Sequence, residues 1–125
     1  MLDEILDLLD RSSVIHNPQV IELIPYGKDA FRFKLRATVD DELLLQIWLN
    51  HNDRRTRYAY QLLRKAQPLL RWDNAPHHPG QTQNFPHHRH DEAGQVSAST
   101  LSGDPLTDLP LILAVIETFV YRLNT

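Results

Sequence analysis

Cysteine is absent from all 125 residues, which removes disulfide frameworks, thiolate zinc sites and cysteine nucleophiles together. Long hydrophobic runs are absent too. The longest spans residues 111–116, far short of the roughly 20 apolar residues a membrane helix needs. No basic stretch opens the chain: Met1-Leu2-Asp3-Glu4 is acidic where a secretory signal carries positive charge. A cytoplasmic protein with no membrane partner is expected. Nor is there an excess of positive charge. Thirteen Lys+Arg stand against 16 Asp+Glu for a formal charge of −3, which argues against a wholesale basic nucleic-acid binder but leaves room for a local basic patch. Glycine is scarce, and three of its four copies fall in residues 74–105. There is no internal repeat and no low-complexity tract. The length suits one domain, residues 1–125.

What is present reads as an α+β protein. Leu2, Ile5, Leu6, Leu8 and Leu9 share one side of residues 2–11, opposite Asp3, Glu4, Asp7 and Asp10, the spacing of a short amphipathic helix. A turn at Asn17-Pro18 precedes an apolar stretch at 20–24. Residues 31–39 then obey period two at nine consecutive positions: Phe31, Phe33, Leu35, Ala37 and Val39 alternate with Arg32, Lys34, Arg36 and Thr38. Further strands are predicted at 43–50, at 58–62 and at 69–73. Short polar links between them argue for an antiparallel meander, because parallel strands need long crossovers. The expected architecture is thus an N-terminal helix, about five antiparallel strands, an irregular Pro/His-rich loop over about residues 74–105 and a C-terminal apolar helix over 109–123, N-capped by Thr107 or Asp108. That helix is apolar on most of its circumference, which suggests a homodimer or a partner interface. Tyr58, Tyr60 and Trp72 read as packing residues.

Five of the seven histidines lie between His77 and His90, where an even spread would put about one. Two Pro-His-His units echo each other, each stiffened by its proline. One reading is a solvated loop whose histidines cap backbone groups. Another is a divalent-metal site such as zinc: His88 and His90 turn to one side of an extended backbone, and His77 or His78 completes a set. The third is acid–base chemistry on a phosphodiester. Imidazole titrates near neutrality, so two can serve as base and acid together, and a guanidinium stabilises the crowded phosphorane. His77, His78, His87, His88 and His90, with Arg71, Arg89 and Asp73, supply every part with no cofactor. The polar face of strand 31–39 adds Arg32, Lys34 and Arg36, aligned as a phosphate-tracking surface requires. Gln46 and Trp48 on the next strand extend it, with Trp48 as a stacking platform for a base.

The stretch Arg71-Trp72-Asp73-Asn74-Ala75-Pro76-His77-His78-Pro79, followed by Phe85-Pro86-His87-His88-Arg89-His90, resembles the signature of the TumE-type toxins of prokaryotic toxin–antitoxin systems. Phe33-Lys34-Leu35-Arg36-Ala37-Thr38 and Tyr58-Ala59-Tyr60 are similar to that family's strand segments. The resemblance covers roughly residues 30–91. It implies a growth-inhibiting toxin, neutralised by a helix-turn-helix antitoxin. The residues themselves favour a metal-independent ribonuclease acting on RNA. The alternative is a non-catalytic binding module whose histidine loop holds a divalent metal or docks a protein partner.

Overall fold

The computed structural model describes residues 1–40, 42–77, 80 and 83–125. Its elements are α1 (Leu2–Arg11), β1 (His16–Gly27), β2 (Ala30–Thr38), β3 (Leu43–His51), β4 (Thr56–Arg64), β5 (Gln67–Asp73), β6 (His88–His90), β7 (Val96–Ala98) and α2 (Pro105–Leu123). The strands form one sheet in sequence order, every neighbouring pair antiparallel. Turn chemistry makes so direct a meander feasible. Asp40 Oδ1 accepts from the backbone N–H of Glu42 and Leu43 at 2.9 and 2.8 Å to turn β2 into β3. Asn52 Oδ1 does the same for Arg54 and Arg55 between β3 and β4. Between β4 and β5, Lys65 and Ala66 take φ of 48° and 65°, the left-handed pair that matches a two-residue hairpin to the strand twist.

The α+β class is as expected, but the described residues form seven strands rather than about five. The two added strands, β6 and β7, lie within residues 74–105, expected to be irregular throughout. Each has only three residues, too few for a periodic signal, and β6 forms because β5 offers it an edge. The turn expected at Asn17-Pro18 lies inside β1. Asn17 has φ 50°, and a register shift between His16 and Gln19 absorbs the irregularity. The second helix begins at Pro105, with Asp104 as N-cap accepting from the Leu106 N–H at 3.2 Å. Thr107 and Asp108 fall within its first turn. Pro105 starts it at no cost, since its missing N–H would have had no partner there.

Period two divides the sheet into two faces. One face buries Phe33, Leu35 and Ala37 of β2, Leu43, Leu45, Ile47 and Leu49 of β3, Tyr58, Tyr60 and Leu62 of β4, and Leu70 and Trp72 of β5. Ile5 and Leu9 of α1 and Leu109, Ile112 and Ile116 of α2 join the same core. Tyr58, Tyr60 and Trp72 are thus packing residues, as their pattern predicts. The second helix is buried along one stripe rather than all round, leaving Leu111, Tyr121 and Leu123 exposed and Leu113 half-buried. Its buried Asp108 is satisfied by Ser102 N–H, Ser102 Oγ and Gly103 N–H at 2.8–3.0 Å. No helix among the described residues is long and apolar enough to cross a membrane.

Candidate active site

Among the described residues no helix covers the opposite face, and strand register brings the chemically distinctive residues together there. Directly opposed positions in an antiparallel pair project to the same side, so the register can be read across the sheet as two rows. One runs Lys34, Trp48, Ala59, Asp73, His88. The other runs Arg36, Gln46, Gln61, Arg71, His90. The basic strand and the histidine block, far apart in the sequence, therefore occupy one continuous surface.

Asp73 is its centre. It is buried, and its Oδ1 accepts from the Ala75 N–H at 3.0 Å, which turns the chain out of β5. Oδ1 also lies 2.9 Å from His88 Nε2, and Oδ2 lies 2.8 Å from Arg71 Nε and 3.6 Å from His90 Nε2. His88 is buried as well, and its Nδ1 donates to the Pro86 carbonyl at 2.9 Å. A carbonyl only accepts, so Nδ1 carries a proton and Nε2 is the nitrogen presented to Asp73. His90 packs edge-on against His88, with ring centroids 4.9 Å apart. One ligand atom from each of Asp73, His88 and His90 lies within 4.8 Å of the others, close enough for a shared cation.

A cavity of about 490 Å³ opens beside this centre, lined by Lys34, Trp48, Arg57, Arg71, Asp73 and His77 among others. Gln61 and Arg71 also line a smaller hollow, of about 240 Å³, that includes His90. Cationic side chains, an indole ring and two histidines thus border two hollows that share Gln61 and Arg71. Of the basic strand, Lys34 reaches the cavity. Arg32 pairs with Glu22 of β1 at 3.4 Å, and Arg36 Nε donates to Gln46 Oε1 at 3.1 Å.

Two candidates from the sequence do not join this centre. Arg89 alternates with its neighbours and so lies on the helix-covered side, its guanidinium 5.3 Å from the centre of the Trp72 ring. His87 precedes β6 and turns to the other end of the core. Its Nδ1 is 2.8 Å from Tyr58 Oη, and the two rings stack at 5.8 Å. Burial pushes the pKa of His87 down against an upward pull from Asp108, with His88 adding to the fall. Burial, reinforced by Asp108 and Asp73, pushes the Tyr58 phenol well above its ordinary value. His78 lies outside the described residues.

Arg57 and Asn74 belong to the site although their sequence context did not single them out. Asn74 bridges to β4, accepting from the Tyr58 N–H at 3.0 Å and donating to the Thr56 carbonyl at 2.8 Å, and so holds the cavity wall. The concentration of arginine at positions 54, 55 and 57 was the available signal for Arg57, and for Asn74 it was its place inside the Arg71–Pro79 stretch that carries the resemblance. Among curated proteins and among solved structures, no match to the chain is found. The family model of the toxin TumE matches residues 5–120. With 116 of 125 positions inside that match, the chain belongs to the TumE toxin family.

Proposed function

We propose that this toxin is a ribonuclease that cleaves RNA on the open face of its sheet, by histidine acid–base chemistry and with no metal required. The observation that carries the reading is the convergence of Lys34, Trp48, Arg71, Asp73 and His77 on one cavity, with His90 alongside. Trp48 stacks a base, and Lys34 and Arg57 hold the backbone. The RNA 2′-hydroxyl attacks the adjacent phosphorus while one imidazole takes its proton. The other imidazole protonates the departing 5′-oxygen, leaving a 2′,3′-cyclic phosphate and a 5′-hydroxyl. His77, on the cavity rim, and His90 are the two proton carriers. Arg71, fixed through Nε by Asp73, offers its remaining N–H groups to the phosphorane. Asp73 and His88 are positioning residues: both are buried, and each holds the other in place.

The test is cleavage of RNA by purified, untagged protein in excess chelator. Persistent cleavage that His90→Ala abolishes supports the proposal, and a folded protein that cleaves no RNA overturns it. One observation favours a second reading, in which Asp73, His88 and His90 hold a divalent cation. The Pro86 carbonyl on His88 Nδ1 is the outer contact that orients a metal-bound imidazole. Stoichiometric zinc in the purified protein, with cleavage lost on chelation or absent throughout, establishes that reading instead. The toxin's partner is an antitoxin, which we propose to be a helix-turn-helix protein, and we propose the cytoplasm as the place of action. Expression of the toxin alone is expected to arrest growth, and co-expression of the antitoxin to relieve the arrest.

A further inference from the structure

A second cavity, of about 410 Å³, lies at the end of the sheet, outside the centre just described. Arg54, Arg55, Thr56, Arg57, His87 and Gly103 line it, with Asn74 and Pro76 forming the wall toward the first cavity. Arg57, Asn74 and Pro76 border both. Three guanidiniums within four residues are notable on a chain of net charge −3. Among the described residues, no carboxylate pairs with any of them, whereas Arg11, Arg32, Arg64 and Arg71 each have an acidic partner. Two acidic residues lie nearby: Asp53, exposed and directly before Arg54 in the same turn, and Asp108, which is buried and engaged by Ser102 and Gly103. The turn that presents Arg54 and Arg55 is preset, because Asn52 Oδ1 holds both of their backbone N–H groups. Ordering them around an anion therefore costs mainly side-chain freedom.

Resting on the ribonuclease reading above, we infer that this cavity is a second phosphate subsite, which takes the RNA backbone as the strand leaves the open face and passes Arg57. Arg54 and Arg55 grip a phosphate one or more nucleotides from the scissile bond, and Arg57 belongs to both cavities. His87 lines the floor, with its Nδ1 occupied by Tyr58. The site reads chain length and backbone charge rather than base identity.

The experiment compares binding of two 2′-O-methyl oligonucleotides, a dinucleotide and a hexanucleotide, by fluorescence anisotropy across salt concentrations. Neither can be cleaved through a 2′-hydroxyl. The parent protein is expected to bind the hexanucleotide more tightly and with a steeper salt dependence. In Arg54→Gln/Arg55→Gln that advantage disappears, and the log–log slope for the hexanucleotide falls by about 1.4, or about 0.7 for each of two phosphate contacts. The dinucleotide serves as the internal control for folding and for the first cavity, and Arg54→Lys/Arg55→Lys is expected to keep most of the slope. A glutamine variant that binds the hexanucleotide like the parent overturns the subsite and leaves the sheet-face reading standing. A parent protein that binds neither probe overturns both.

Discussion

The two faces of the sheet are made by the same strands and do opposite things. On the helix-covered face, the alternate residues Phe31 to Ala37 of β2, Leu43 to Leu49 of β3 and Tyr58 to Leu62 of β4 are apolar and belong to one core or pack against it. On the open face, alternate positions of β2, β3, β5 and β6 carry Lys34, Trp48, Arg71, Asp73 and His90. Separation by alternation is sharp enough to divide adjacent histidines. His88, the first residue of β6, meets Asp73, whereas His87, one position earlier, stacks on Tyr58 of the core side. The helix side supplies the stability that lets the open side present polar groups in fixed positions, including an acid and an imidazole that are both buried.

The comparison can be broken most forcefully at the histidines. His90→Ala is expected to cut RNA cleavage by roughly 10²–10⁴-fold, the usual size of a general acid–base contribution. His87→Ala is expected to leave the cleavage step within a few-fold, since its ring faces Tyr58. Equal losses in single-turnover cleavage would show that alternation does not separate the two. Next in size, Leu35→Ala is expected to cost about 2–5 kcal/mol in denaturant unfolding, while Trp48→Ala costs well under half of that and instead weakens RNA binding. A reversed ranking would mean that the open face is covered in solution.

A smaller effect sharpens the boundary between binding and chemistry. Neutralising Arg32, Lys34 and Arg36 together is expected to flatten the salt dependence of RNA affinity by up to about 2 in log–log slope, at roughly 0.7 for each phosphate no longer neutralised. The smaller part belongs to Arg32, which Glu22 already pairs. The pH profile of cleavage stays in place, because it reports the histidines. Smallest is an alkaline effect on the core face. Burial raises the phenol pKa values of Tyr58 and Tyr60 in the folded chain, so their contribution is complete below the ordinary value of about 10. Above it, the unfolded chain loses protons that the folded chain keeps, and stability falls as pH rises. Tyr58→Phe should fall less steeply over that range in chemical unfolding. An unchanged slope would place the Tyr58 hydroxyl in water rather than in the core.

How much of this was legible in the sequence depends on how local each feature is. Residues 31–39 announce a two-faced strand through nine alternating positions, and β3 and β4 do so nearly as well. Tyr58 and Tyr60 were recognisable as core for the same reason. β6 has three residues and no alternation, so its existence depends on the free edge of β5, which lies across a loop of 14 residues. The pairing of Asp73 with His88 is a matter of register between those two strands, and no sequence periodicity encodes it. Composition marked the histidine segment as chemically unusual, and the two-residue spacing put His88 and His90 on one side, but nothing in it set His87 against Tyr58 or Arg89 over Trp72. The arginines at 54, 55 and 57 were simply counted among the charges, because their significance comes from what the 74–76 and 102–103 segments place opposite them.

Because the strands are laid down in the order in which they pair, the molecule can be assembled from its amino terminus outward, each new strand docking on the one made just before it. Such a topology keeps most pairings short in sequence and favours rapid folding. It also sets an order of events during synthesis. By the time β5 has emerged, Asp73 is present with Arg71 beside it, but its partner is still 15 residues away in a chain not yet made. His88 and His90 arrive with the next strand, and α2, beginning at Pro105, follows only after that. The complete constellation on the open face therefore forms only once β6 has been made, and a chain that stops before β6 has most of the sheet without the histidine partners of Asp73.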